Sequence, residues 1–265
     1  MPIGLAPYSL RNNVFNAAQA EGAYKKLAEI GFDGLEGGLG FRFNRMTLEE
    51  DVALLKKYDL KIIDTRDDLS DPDAAMKTAE AFNTKYLWVD TLPRDMMRSV
   101  DGFRAFIDWV NNLAKPFKAA GFKLIYHNHA QEFRNFKQLG GKPAFEIMIN
   151  ETDPDGVCFL LDTFWCSAAG ADPAYWLRRL KGRTSPIVHF KDYAIEDTSY
   201  NTEIGGIPYR FAEIGQGNIN WPAVMDACKE IGIEWYCIEQ DFSRGCIYED
   251  LKTSVDFMRN ELKIK

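Results

Sequence analysis

Eight short runs rich in β-branched and aromatic residues recur along this chain, each followed by a stretch with apolar residues at i, i+3 and i+4 spacing. The runs are Ile3–Tyr8, Gly34–Leu35 with its flanks, Lys61–Asp64, Tyr86–Val89, Lys123–Tyr126, Cys158–Leu161, Ile187–Phe190 and Trp235–Ile238. Helical patterns lie between them over Ala18–Ile30, Thr47–Tyr58, Asp73–Phe82, Gly102–Ala120, Pro173–Leu180, Pro222–Ile231 and Tyr248–Glu261. Helix starts carry capping residues: Thr47 with Glu50, Asp71 and Asp73 around Pro72, Asp172 before Pro173, and Asn220 before Trp221-Pro222. Gly31, Gly121 and Gly232 each stop a helix just before the next strand.

Eight such units in 265 residues match the size of a single-domain (β/α)8 TIM barrel, and residues 1–265 carry no linker or low-complexity run that would divide them. A doubly wound parallel sheet has the same alternation, so the position of the polar residues matters.

In a barrel of this kind functional groups gather at the carboxyl ends of the strands, where the loops vary and the strands hold them rigidly. The fifth run leads into Tyr126-His127-Asn128-His129 with Glu132 beyond; the sixth ends at Asp162; the seventh ends at His189, with Lys191 and Asp192; the eighth ends at Glu239, with Asp241. All 3 histidines of the chain are in that set. One histidine beside an apolar run is ordinarily a hydrogen-bonded core residue, and one aspartate after a strand a helix cap. Several ionisable groups brought together in a barrel mouth are costly unless they pair or bind a cation. Carboxylates with imidazole form a mixed O/N donor set for one divalent metal ion, Mn, Mg, Co or Zn. Such an ion polarises a carbonyl and its neighbouring hydroxyl, so that a side-chain base can take the proton between them, which is enediolate chemistry.

Charge and composition exclude other classes. Lys and Arg number 32 against 39 acidic residues, a net charge of −7, with no basic cluster of the kind that holds a phosphate backbone, so nucleic acid is not an expected partner. No run of eighteen apolar residues and no leader-like start is present, which sets the expectation of a cytoplasmic protein that does not enter membranes. The 5 cysteines are odd in number and lack CxxC spacing, against both a disulfide framework and a zinc ribbon; Cys158 and Cys237 are expected as small core residues.

The stretches IGLAPYSLR (3–11), YHNHAQEF (126–133), LLDTFWCSAAGADP (160–173), IVHFKDY (187–193), EIGQGNINW (213–221) and YCIEQD (236–241) resemble the sugar phosphate isomerase/epimerase proteins of the xylose-isomerase-like TIM-barrel superfamily, over nearly the whole chain. The resemblance implies a metal held by Glu, Asp, His and Glu from the later strands, and a proton moved next to a sugar carbonyl. Asp162, His189 and Glu239 match the last three ligands. For the first, relatives place a Glu where this chain has His127; either His127 takes that place or Glu132 folds back to it. The set adopted is Glu132, Asp162, His189 and Glu239, because a third carboxylate better neutralises a hard dication. His127, His129, Lys191 and Glu239 are then the candidate catalytic groups, and Trp165, Tyr8, Arg11, Glu36 and Asp64 the candidate substrate contacts.

A small carbohydrate is the implied partner, and the resemblance is compatible with a homodimer. The same superfamily contains lyases acting on 3-keto-glycosides or cyclic keto-acids by the same enolisation, and these stand as the alternative activity. Its endonuclease branch needs more histidines than this chain has, and a barrel that only binds carbohydrate has no use for the Asp162, His189 and Glu239 set. EIGQGNINW reads as a tight loop capped by Asn220, and residues 193–212 as a long loop without helix or strand signal.

Overall fold

The structure is a computed structural model and describes residues 1–89, 91–196, 203–204 and 207–264. Eight parallel strands form a closed ring: β1 (Ile3–Leu5), β2 (Gly34–Leu35), β3 (Lys61–Ile62), β4 (Tyr86–Trp88), β5 (Lys123–His127), β6 (Val157–Leu160), β7 (Ile187–Phe190) and, last in the chain, β11 (Trp235–Ile238). β11 pairs with both β7 and β1, and β1 continues through β2 to β3. Between β3 and β4 the ring is joined by the bridge Thr65–Leu87, and between β6 and β7 by Phe159–Thr184 and Asp162–His189. β4, β5 and β6 complete the circle in parallel. This is a TIM barrel.

The helices lie where their signals place them. Thr47 and Glu50 form the reciprocal capping box of the helix Leu48–Lys57, and Asp71, Asp172 and Asn220 accept the backbone N–H of Ala74, Tyr175 and Ala223. Gly31, Gly121 and Gly232 adopt φ of 104°, 84° and 81°, which an L side chain resists. β1 is shorter than its apolar run suggests: Pro7 starts a 3-10 turn over Pro7–Leu10. Short helices over Leu39–Arg42, Ala144–Glu151 and Thr163–Ala168 carried no periodic signal long enough to read. No helix among the described residues is long and apolar enough to cross a membrane. Cys158, Cys166, Cys228 and Cys237 are buried free thiols, and Cys246 is exposed.

One excursion departs from the sequence reading. After β7 the chain makes β8 (Asp192–Ile195), which pairs antiparallel with β10 (Ile207–Ala212); β9 (Glu203–Ile204) adds to β10. Where a loop over 193–212 was expected, the described part is a β-ribbon, while 197–202 and 205–206 lie outside the described residues. Its pairing and its apolar face are both long-range: Tyr193, Tyr209 and Phe211 surround the Phe164 ring at 5.5, 5.2 and 4.8 Å. No short window of sequence reveals such a face.

The loop EIGQGNINW is organised by Asp192. Its buried carboxylate accepts from the backbone N–H of Tyr193, Gly215 and Ile219 and from Trp221 Nε1, at 2.8, 3.0, 3.2 and 2.7 Å. The N–H groups of Gly215 and Ile219 are therefore spent within the protein, in agreement with the tight-loop reading. A Cβ at Gly217 would collide with the Asp192 carboxylate and the Tyr193 carbonyl. Gly217→Ala is expected to cost about 1–3 kcal/mol of stability, measured by urea denaturation, because neither neighbour can retreat without breaking those bonds. An unchanged midpoint would contradict the close packing described.

Candidate functional site

Strand pleating builds the site in layers. Side chains two residues apart share a face, and the barrel interior below the mouth is filled by Ile63, Trp88, Ile125, Cys158, Leu160, Ile187 and Cys237. One pleat further along the same faces come His127 above Ile125, Asp162 above Leu160, His189 above Ile187, and Glu239 above Cys237. Each of these four residues offers one potential ligand atom, all within 4.8 Å of one another, and all four residues are buried. His127 Nε2 lies 3.4 Å from Asp162 Oδ2, and His189 Nδ1 lies 3.1 Å from Glu239 Oε2 and 3.7 Å from Asp162 Oδ2.

The four are held from outside the cluster. Asp162 is the N-cap of the helix Thr163–Ala168: its Oδ1 accepts from Trp165 N at 2.7 Å, which leaves Oδ2 facing the centre. His189 Nε2 sits 2.9 Å from both carboxylate oxygens of Glu36, so Nδ1 is the nitrogen presented to the cluster. That Nδ1 is close to two carboxylates but out of line for a hydrogen bond with either, and it stays without a partner. A buried imidazole nitrogen left open among carboxylates fits a metal ligand whose other nitrogen is fixed by an acid.

Electrostatics follow from burial. Desolvation pushes the His127 imidazole down to about 4, against the pull of Asp162, and His129 likewise to about 4, helped by His127. For His189 burial acts downward too, but Glu36 and Glu239 outweigh it and raise it well above its ordinary value. For Glu239 burial acts upward, and Lys191 and His189 overcome it and hold the carboxyl well below the usual range. Lys191 is almost fully buried, with Nζ 2.8 Å from Asp241 Oδ1 and 3.2 Å from Glu239 Oε2. Desolvation would lower it, yet Glu239, Asp162 and Asp241 raise it above the ordinary lysine value. Asp241 is pushed up to about 6, by burial first and by Glu239, with Lys191 opposing.

These groups border a cavity of about 300 Å³ lined by, among others, Tyr8, Trp88, His127, His129, Trp165, Lys191, Glu239 and Asp241. Tyr8 and Trp165 are thus placed where a substrate would touch them. Three further substrate-contact candidates are placed elsewhere. Arg11 stacks on Tyr8 at 4.0 Å and donates from Nη2 to the Asp241 carbonyl at 2.6 Å, so it braces the wall. Glu36 is committed to His189, and Asp64 is fully buried and accepts from Trp88 Nε1. Neither is among the residues that line the cavity.

Glu132 also departs from expectation. The chain turns into a 3-10 helix at Ala130–Phe133, which swings the carboxylate back over the outward side of β5. There it accepts from Tyr126 Oη at 2.6 Å and His129 N at 2.8 Å, away from the cluster. His127, which is the last residue of the strand, stands in the place proposed for it. Sequence reasoning missed Trp88, whose ring lies 5.2 Å from that of His127 and carries Arg66 at 3.5 Å; its position one pleat beyond Tyr86 was the available signal. It also missed half-buried Arg42, which donates to the Glu36 carbonyl at 3.3 Å and is lowered to about 10 by desolvation and Arg66. Arg42 lies in a short helix anchored by Asp51, which accepts from Tyr24 Oη at 2.6 Å and from Phe41 N at 3.0 Å.

Known proteins bear on this arrangement. The sequence pattern of the family described as "Xylose isomerase-like TIM barrel" matches residues 24–261. Inosose dehydratase of Mesomycoplasma hyopneumoniae is 25% identical over 276 residues, covering 90% of this chain and 87% of that protein. A sugar phosphate isomerase/epimerase from Parabacteroides distasonis superposes with a TM-score of 0.77 at 20% identity, over 99% of this chain and 95% of the other. The probable 3-DHS dehydratase from Bacillus anthracis superposes with a TM-score of 0.73 at 15% identity, over 98% and 100%. Structural neighbours of this architecture therefore include isomerases, epimerases and dehydratases.

Proposed function

Since the chain belongs to the family of xylose isomerase-like TIM barrels, we propose that it is a divalent-metal-dependent enzyme that removes the proton beside the carbonyl of a sugar or keto-sugar. The observation that carries this reading is the convergence of His127, Asp162, His189 and Glu239 from four strand ends within 4.8 Å. These four would hold the ion. Two imidazoles with two carboxylates suit Mn²⁺, Co²⁺ or Zn²⁺ better than Mg²⁺, which prefers oxygen and water. A dication held there polarises a carbonyl and an adjacent hydroxyl and so acidifies the C–H between them.

The remaining residues have distinct tasks. Lys191, raised above its ordinary value between three carboxylates, keeps its proton at neutral pH. It therefore serves as a fixed positive charge for the oxygen on which negative charge develops, and not as the base. Asp241 and His129 both line the cavity, and His129 Nδ1 is buried without a partner; these two carry the proton. Trp165, over which Lys191 Nζ lies at 5.2 Å, offers a flat wall for the C–H face of a sugar ring.

A second outcome of the same enolisation, loss of water, is favoured by the likeness to inosose dehydratase, and loss of a glycosidic leaving group would be its counterpart on a 3-keto-glycoside. One experiment tests both. The Mn²⁺-loaded protein is incubated in D2O with ketoses, 3-keto-glycosides and a keto-inositol, and the products are followed by NMR and mass. Deuterium at the carbon next to the carbonyl is expected, with a mass loss of one water where elimination follows. Absence of exchange from every substrate, with metal bound in stoichiometric amount, removes the proton-abstraction reading.

A further inference from the structure

The metal-facing cavity has a neighbour. Thr91, His129 and Trp165 line both it and a second, larger cavity of about 950 Å³. This outer groove runs between the segments 91–98 and 129–134 and receives Arg94, Arg98 and Arg134, while no acidic side chain is among its lining residues. In a chain of net charge −7 that is a local reversal of sign. The inner cavity is mixed in charge, with Asp67, Glu239 and Asp241 beside Arg66 and Lys191 in its wall.

The three arginines differ in how they are held. Arg134, itself exposed, donates from Nη1 to the Met97 carbonyl at 3.0 Å, which anchors its guanidinium. Arg94 and Arg98 are exposed, and neither forms an ion pair among the described residues. Guanidinium groups gathered with no counter-charge repel one another, and they suit the paired oxygens of a carboxylate or phosphate, which they grip with two parallel hydrogen bonds. The inner cavity, about 300 Å³, is at the small end for a ligand site and accommodates little more than one sugar-sized unit. Thr91, His129 and Trp165, which line both cavities, set the arginine groove directly beside that unit.

We propose that the groove lined by Arg94, Arg98 and Arg134 binds an oxyanion, a carboxylate or phosphate, at the far end of a substrate whose carbonyl sits at the metal cluster. The substrate class is then a sugar acid, a sugar phosphate or an anionic conjugate of a keto-sugar. This rests on the enolising reading of the inner site, but its test does not.

Metal-free protein, stripped with a chelator, is titrated by calorimetry at low ionic strength with inorganic phosphate and, separately, with malonate. Neither probe can report metal chemistry or turnover, so a failure here falls on the groove alone. The wild type is expected to bind at least one of the two. The Arg94→Ala/Arg98→Ala double variant is expected to bind it at least about tenfold more weakly, the loss of one or two charge-assisted hydrogen bonds. Lys137→Ala removes an equal charge outside the groove lining and is expected to bind as the wild type does. The stronger probe, phosphate or malonate, identifies the headgroup. The proposal is overturned if neither anion binds, if the double variant binds as the wild type does, or if Lys137→Ala weakens binding as much as the double variant.

Discussion

Asp162→Asn is expected to leave the protein folded, with less than about a tenth of the wild-type metal content and turnover reduced by at least about 10³. The size follows from losing several kcal/mol of charge stabilisation at roughly tenfold per 1.4 kcal/mol. Asparagine is the informative replacement because Asp162 has two roles carried by different oxygens. Oδ1 caps the helix Thr163–Ala168 and Oδ2 faces the cluster. An amide oxygen preserves the cap, whereas alanine would add a cap loss of about 1 kcal/mol and confuse folding with binding. Metal is measured by elemental analysis and stability by thermal denaturation. A variant that retains a full equivalent of metal would mean that the four residues do not form the ion's binding set. The parallel variant Glu132→Gln is expected to keep its metal, because that carboxylate is engaged with Tyr126 and the backbone of His129.

Lys191→Met should separate catalysis from metal binding. Turnover is expected to fall by about 10²–10³, the usual loss when one preorganised donor to a developing oxyanion is removed, while metal remains bound. The ammonium touches Glu239 and Asp241, so its removal also leaves buried Glu239 and half-buried Asp241 without their shared cation. A stability loss of about 3–5 kcal/mol is the order expected for breaking such a buried pair in the metal-free protein. Bound metal should restore part of it by returning positive charge to Glu239. The sign of the pH dependence follows from the raised lysine value: the contribution of Lys191 persists through neutral pH and fades only as the pH climbs past its elevated range. A variant with wild-type exchange in D2O would remove Lys191 from the chemistry.

The barrel was legible in this sequence because strand and helix signals alternate cleanly and because the glycines at 31, 121 and 232 stop their helices just ahead of strands. The cluster was partly legible for the same reason. His127, Asp162, His189 and Glu239 each follow an apolar residue by one pleat, so a period of two carried the core face into the mouth. The choice between His127 and Glu132 was not, because it turns on a single change of chain direction at Ala130, where a 3-10 turn sends one carboxylate outward. Trp88, Arg42 and Asp51 escaped notice for a different reason. Their partners Asp64, Glu36 and Tyr24 lie 24, 6 and 27 residues away, and polar pairing of that kind leaves no periodic trace beyond the pleat that sets Trp88 above Tyr86. The two cavities and their shared wall are likewise products of loops meeting above the strands, which local sequence does not encode.

Lys191 and Asp192 are adjacent, but they serve opposite masters: one side chain reaches into the reacting cavity and the next fastens the turn that leads into the helix Trp221–Ile231. A peptide unit shared in this way ties two territories to a single opening event. Any excursion that releases the amides of Gly215 and Ile219 from Asp192 must slacken the backbone on which the buried ammonium is mounted. Those two amides should consequently exchange with solvent deuterium at the same slow rate as the backbone of Lys191, making them sentinels for the integrity of a centre they never touch.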